Sequence, residues 1–222
     1  MKRTKIKDRA LPRYSKGEER FNMISHIVGG GFSILALILC ILKAARYGAA
    51  EVIASVIYGC CLIFLYTMSS IYHGLYPSTG KRVMQVMDHC AIYALIAGSY
   101  SIVCLGVLRR YSPLLGWGIF TLEWVLCALA TTLTAIDLKR YRVFSMTCYI
   151  GMGWAIIPLA GILLQLMGGI GFGLLLAGGI SYTIGAVLFG LGKKIRWMHS
   201  IFHLFVVLGS MLHFFSFYFY GI

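Results

Sequence analysis

Apolar residues dominate seven stretches of this chain, and short polar or basic segments separate them. The stretches cover residues 25–45, 50–74, 83–108, 113–136, 143–166, 168–191 and 197–220. Each is long enough for a helix to cross the bilayer's hydrocarbon core, which takes roughly 18–20 apolar residues. The separators include "YPSTGKR", "DLKRYR" and "GKKIR", where charge and turn-forming residues interrupt the apolar pattern. The pattern predicts an all-α integral membrane protein, a seven-transmembrane helix bundle. Pro158 is expected to kink the fifth span, because proline lacks the N–H its turn needs. Gly169 and Gly173 form a small-residue pair that suits close helix packing within the chain.

Composition agrees with that reading. Of 222 residues, 59% are hydrophobic and 12% charged, with a mean hydropathy of +0.83. An ordinary soluble domain carries roughly 25% charged residues. The net charge of +13 does not imply nucleic acid, since no basic surface domain exists to carry such a site. It reads instead as topology. Residues 1–24 and the segments after spans two, four and six hold 16 of the 20 lysines and arginines. The other 4 are Lys43 at the end of span one and Arg46, Arg109 and Arg110 in the segments after spans one and three. The positive-inside bias then predicts a cytoplasmic N-terminus and an outside C-terminus. Residues 1–24 are expected to form a basic cytoplasmic segment, and residues 25–222 the seven-transmembrane helical domain. The polar first 20 residues do not read as a signal peptide. The 7 cysteines lack C-x-x-C spacing and read as small apolar side chains, not thiolate ligands.

Ionisable residues inside membrane segments are expensive, so each is a functional candidate. His73 falls at the end of span two. Asp88 and His89 fall in the first turns of span three, and His199 and His203 in those of span seven. The topology sets all five near one membrane face. His199 and His203, four residues apart, project from the same side of a helix. That spacing lets one helix give two ligands to one metal ion, and His73 can add a third from another helix. Three neutral imidazoles with an open fourth position suit zinc. Ser69 shares a helical face with His73 and could bond a ligand or a substrate oxygen. Asp88 could accept a hydrogen bond from a ligand imidazole or from water. His89 points about 100° away from Asp88 and stays outside the first set. His26 starts span one on the same side and is left unassigned. His213, about 15 Å along the helix from His203, cannot share the ion. Glu123 lies mid-membrane and is expected to be protonated or paired. Glu51 and Asp137 read as solvated edge residues.

"SSIYH", "MDHCAIYALIAGSY", "HSIFHLF" and the entry "SKGEERFNMISHIVGG" together resemble the hemolysin III family. That family groups with the progestin and adipoQ receptors and, more distantly, the alkaline ceramidases. The resemblance implies seven spans with the N-terminus inside. It implies zinc held by His73, His199 and His203, with Ser69 and Asp88 at the family's serine and aspartate positions. Its eukaryotic relatives are linked to hydrolysis of lipid amides such as ceramide. The short tails resemble the bacterial members, which implies a bacterial plasma membrane, and receptor signalling is not implied.

Three functions compete at this level. One is a zinc-dependent hydrolase of lipid amides or esters, with Asp88 taking the proton and Ser69 supporting the oxyanion. The second is a pore-forming hemolysin or channel-like protein. The third is a non-enzymatic regulator of membrane homeostasis with structural zinc. Membrane lipid is the expected partner in the first reading.

Overall fold

The computed structural model of the chain describes residues 4–222 and is all-helical among them. A 3-10 turn, Ile6–Asp8, precedes α1 (Lys16–Ala44), α2 (Ala49–Gly74) and α3 (Thr79–Val103). A π-helical turn, Cys104–Leu108, and the short α4 (Arg109–Tyr111) continue α3. Then follow α5 (Pro113–Ile136), α6 (Arg142–Trp154), a 3-10 turn at Ile157–Leu159, α7 (Ala160–Leu191) and α8 (Met198–Ser216). A last π turn, Phe217–Gly221, extends α8.

By length and composition, six helices can cross a membrane, one being a stretch of 50 residues, Arg142–Leu191. That stretch does not run straight. Trp154 Nε1 donates to Thr183 Oγ1 at 3.0 Å, although 29 residues of helix would separate them by about 43 Å. The chain therefore doubles back between them. Gly168, midway, carries the one non-helical backbone inside α7, at φ 69° and ψ 170°. A side chain is strained at such an angle, which is why glycine stands there. Pro158 lies in the 3-10 turn after α6, where the expected interruption of the span occurs.

The helices pack in chain order, and α8 returns to α1 to close the ring. The contact between α3 and its neighbours is the most enclosed, with 83% of its apolar window buried. Elsewhere the apolar side chains face outward, as Val28, Leu42, Val125 and Val187 do. A lipid solvent makes that arrangement favourable, whereas water would penalise it. Inside, hydroxyl groups link the helices: Ser210 Oγ on α8 meets Tyr66 Oη of α2 at 2.7 Å and Tyr182 Oη of α7 at 2.8 Å.

Two residues expected to be solvated are not. Glu51 is buried and pairs with Arg109 at 3.1 Å and Arg110 at 3.5 Å. Asp137 is buried and accepts from the backbone N–H groups of Thr4, Lys139 and Arg140. Those bonds hold its carboxyl below the usual carboxylate range. Both partners are distant in sequence for at least one contact, so local composition could not reveal them. Helix α1 also starts at Lys16, nine residues before its apolar run, because Ser15 and Glu18 form a capping box.

Candidate metal centre

The box that starts α1 also positions α8. Glu18 Oε2 takes the Ser15 N–H and hydroxyl, at 2.8 and 2.7 Å. Its other oxygen, Oε1, accepts the Trp197 N–H at 2.8 Å. Trp197 is the N-cap of α8 and sits in the left-handed region at φ 67°. A non-glycine residue there costs roughly 1–2 kcal/mol, and α8 has no side-chain cap of its own. The Glu18 bond and the Phe21 ring, edge-on at 6.2 Å, hold this turn. Two residues later comes His199.

Three imidazoles converge at that end of the bundle. His73 from α2 and His199 and His203 from α8 are all buried, and each offers one ligand atom within 4.8 Å of the others. The His199 Nε2 lies 3.4 Å from His73 Nε2 and 3.2 Å from His203 Nε2. Zinc bonded tetrahedrally to nitrogen at about 2.0–2.1 Å sets its ligand nitrogens about 3.3 Å apart. The donor set fits such an ion in chemistry and in spacing.

The surroundings fix the rings. His73 Nδ1 meets Glu19 Oε2 at 2.7 Å, which sets the His73 tautomer and turns Nε2 toward the cluster. Glu19 Oε1 in turn takes the Lys81 ammonium at 2.7 Å. Tyr14 stacks on His199, centroids 4.7 Å apart at 18°, and burial pushes its phenol above the usual tyrosine range. The His26 ring of α1 lies 3.8 Å from the His203 ring, centroid to centroid. Both His26 nitrogens and the Asn22 carboxamide are buried without a hydrogen-bond partner among the described residues. Such groups are costly when unsatisfied, so they mark a polar space next to the cluster.

Ser69 stands one turn before His73 on α2, and its hydroxyl faces the Asp88 carboxylate of α3. Both line a cavity of about 120 Å³ whose wall is otherwise mainly apolar, including Leu65, Ile92 and Val206. His26 borders the same cavity. His89 holds the Gln85 carbonyl through Nδ1 at 2.7 Å and is not part of the histidine cluster. His213 also borders the cavity, where its Nε2 donates to the Leu175 carbonyl at 3.1 Å, and it is not part of the histidine cluster. Glu123 is fully buried, and neither carboxyl oxygen has a partner among the described residues. Glu18 and Glu19 were not singled out by the sequence. The signal available was the Ser15-x-x-Glu18 capping box, which brings both glutamates onto the first turn of α1.

A family model described as Haemolysin-III related matches residues 14–214. Hemolysin-3 of Bacillus cereus is 40% identical over 204 residues, 91% of each chain. The Hemolysin-3 homolog of Bacillus subtilis (strain 168) is 36% identical over 204 residues, 91% of this chain and 94% of that one. The monocyte to macrophage differentiation factor of Homo sapiens is 30% identical over 176 residues, 75% of this chain and 69% of that one. The match runs through both helices that carry the histidines, and the chain belongs to the haemolysin III-related family of membrane proteins.

Proposed function

We propose that this protein is a zinc-dependent hydrolase of lipid amides or esters, with seven spans, a cytoplasmic N-terminus and an outside C-terminus, in a bacterial plasma membrane. The observation that carries the reading is the convergence of three imidazole nitrogens beside Ser69, Asp88 and an apolar cavity. The doubling back of the 50-residue stretch supports the seventh span. The basic residues, 16 of 20 on one side, support the orientation.

In this reading His73, His199 and His203 hold the ion, and Glu19 orients His73. Zinc supplies Lewis acidity, which polarises a carbonyl and acidifies water. Asp88 takes the proton at a carboxylate oxygen, with the Ser69 hydroxyl holding that carboxylate in place. Once Asp88 carries that proton, the single Ser69 O–H is free to turn and donate to a substrate oxygen. The apolar cavity takes an acyl chain and keeps bulk water away. Water adds across the C–N or C–O bond, giving a fatty acid and an amine or alcohol.

A panel of lipid amides and esters, incubated with protein in nanodiscs and read by mass spectrometry, tests this. The expected result is turnover of one class, falling at least 100-fold in Asp88→Asn, in line with the loss of a general base. Turnover of none, or equal turnover by Asp88→Asn, would sink the reading.

A further inference from the structure

A second cavity, of about 290 Å³, lies on the same end of the bundle, between the N-terminal segment and the starts of α6 and α8. Its charge is lopsided. Arg9, Lys139, Arg142 and Lys193 line it against a single carboxylate, Asp8. None of the four cations makes an ion pair among the described residues.

Arg9 is the telling member. It is 6% exposed, and its Nη2 donates weakly to the Ala135 and Ile136 carbonyls at 3.5 and 3.3 Å. Its Nε and Nη1 are buried without a partner among the described residues. A buried guanidinium with two donors unused is expensive unless an anion completes it. The other cations stand around it. Burial, and then the Arg142 charge, hold the Lys193 ammonium below the usual lysine range. Helix α6 begins on this cavity at Arg142 with no side-chain cap, so its positive end is turned the same way.

We propose that this cavity binds a phosphate group, carried by a lipid headgroup or by a soluble compound. A net excess of three cations suits an anion of more than one charge, and the guanidinium fork suits paired oxygens. His89, Tyr149 and Phe189 line both this cavity and the apolar one. A phosphate-bearing lipid could therefore rest its headgroup here and its chain beyond that wall. The assignment stands apart from the hydrolase reading, because it requires the anion to be bound and not turned over.

Calorimetric titration of the full-length protein in neutral detergent tests it. One arm uses inorganic phosphate, a second phosphatidic acid in mixed micelles, and a third diacylglycerol as the phosphate-free lipid. Saturable binding of phosphate or phosphatidic acid is expected. Arg9→Gln should weaken it about tenfold or more, the effect of removing a charged hydrogen-bond partner. Lys193→Gln should weaken it severalfold and carries the test if Arg9→Gln fails to fold. Lys16→Gln, exposed and outside the cavity, should leave it unchanged. Binding of inorganic phosphate alone identifies a soluble source. Binding of phosphatidic acid without a response to inorganic phosphate or diacylglycerol identifies a lipid. No saturable binding of either phosphate probe, or equal loss in Lys16→Gln and Lys193→Gln, would overturn the proposal. Binding that vanishes in His73→Ala yet survives Arg9→Gln and Lys193→Gln would also overturn it, by placing the anion on the histidine centre.

Discussion

Glu19 is the residue on which His73 depends most directly. Its carboxylate spans the His73 ring and the Lys81 ammonium, at 2.7 Å to each. Glu19→Gln keeps the shape and removes the charge. It should lower zinc affinity roughly 10- to 100-fold, the usual cost of an outer-shell partner, while Lys16→Gln leaves it unchanged. Competition with a chromogenic chelator reads this, and unchanged affinity would remove Glu19 from the centre. Asp137 has a different role, since it ties the Thr4 N–H to the turn before α6. Its folded carboxyl titrates below the unfolded value of about 3.9. Its contribution is therefore present above that pH and fades as pH falls through the lower, folded value. Proteolysis near the N-terminus should accelerate below about pH 4, and Asp137→Asn should show the faster cleavage already at pH 7.

At the scale of elements, backbone contact decides more than charge. A methyl group on Gly116 of α5 would sit 2.6 Å from the Cys104 carbonyl oxygen and 2.7 Å from the Arg109 Cα. Both are backbone atoms, so neither can swing aside. Gly116→Ala should destabilise the bundle by about 1–3 kcal/mol, as overpacking does, and lower the melting temperature in detergent. Gly118→Ala, with open space around it, is the matched control. The helices themselves were legible in the chain because their apolar runs are long. The start of α1 was not, since nine polar or mixed residues precede its run and only the Ser15–Glu18 box marks the true end. The histidines at 199 and 203 were legible from their spacing on one helix. His73 joined them through topology, which set helix ends at a common depth. Glu19 and Arg9 could not be found this way, because what distinguishes them is a partner 54 residues away or two donor groups left unused after burial among the described residues.

For the whole molecule, one end of the helix ring carries the histidine cluster together with two cavities. The histidine cluster and the basic cavity share that end, and His199 borders both. The proposed orientation rests on the charge bias, so a reporter active only in the cytoplasm should work at the N-terminus and fail at the C-terminus. The reverse pattern would invert the proposed topology. The hydrolase proposed for this end of the bundle rests on a metal held by the three histidines. Elemental mass spectrometry of protein purified in neutral detergent, without chelator, should find about one zinc per chain. His73→Ala and the paired His199→Ala/His203→Ala variant should fold, by circular dichroism, and lose it. A wild-type chain free of transition metal, or variants that retain the zinc, would contradict the account.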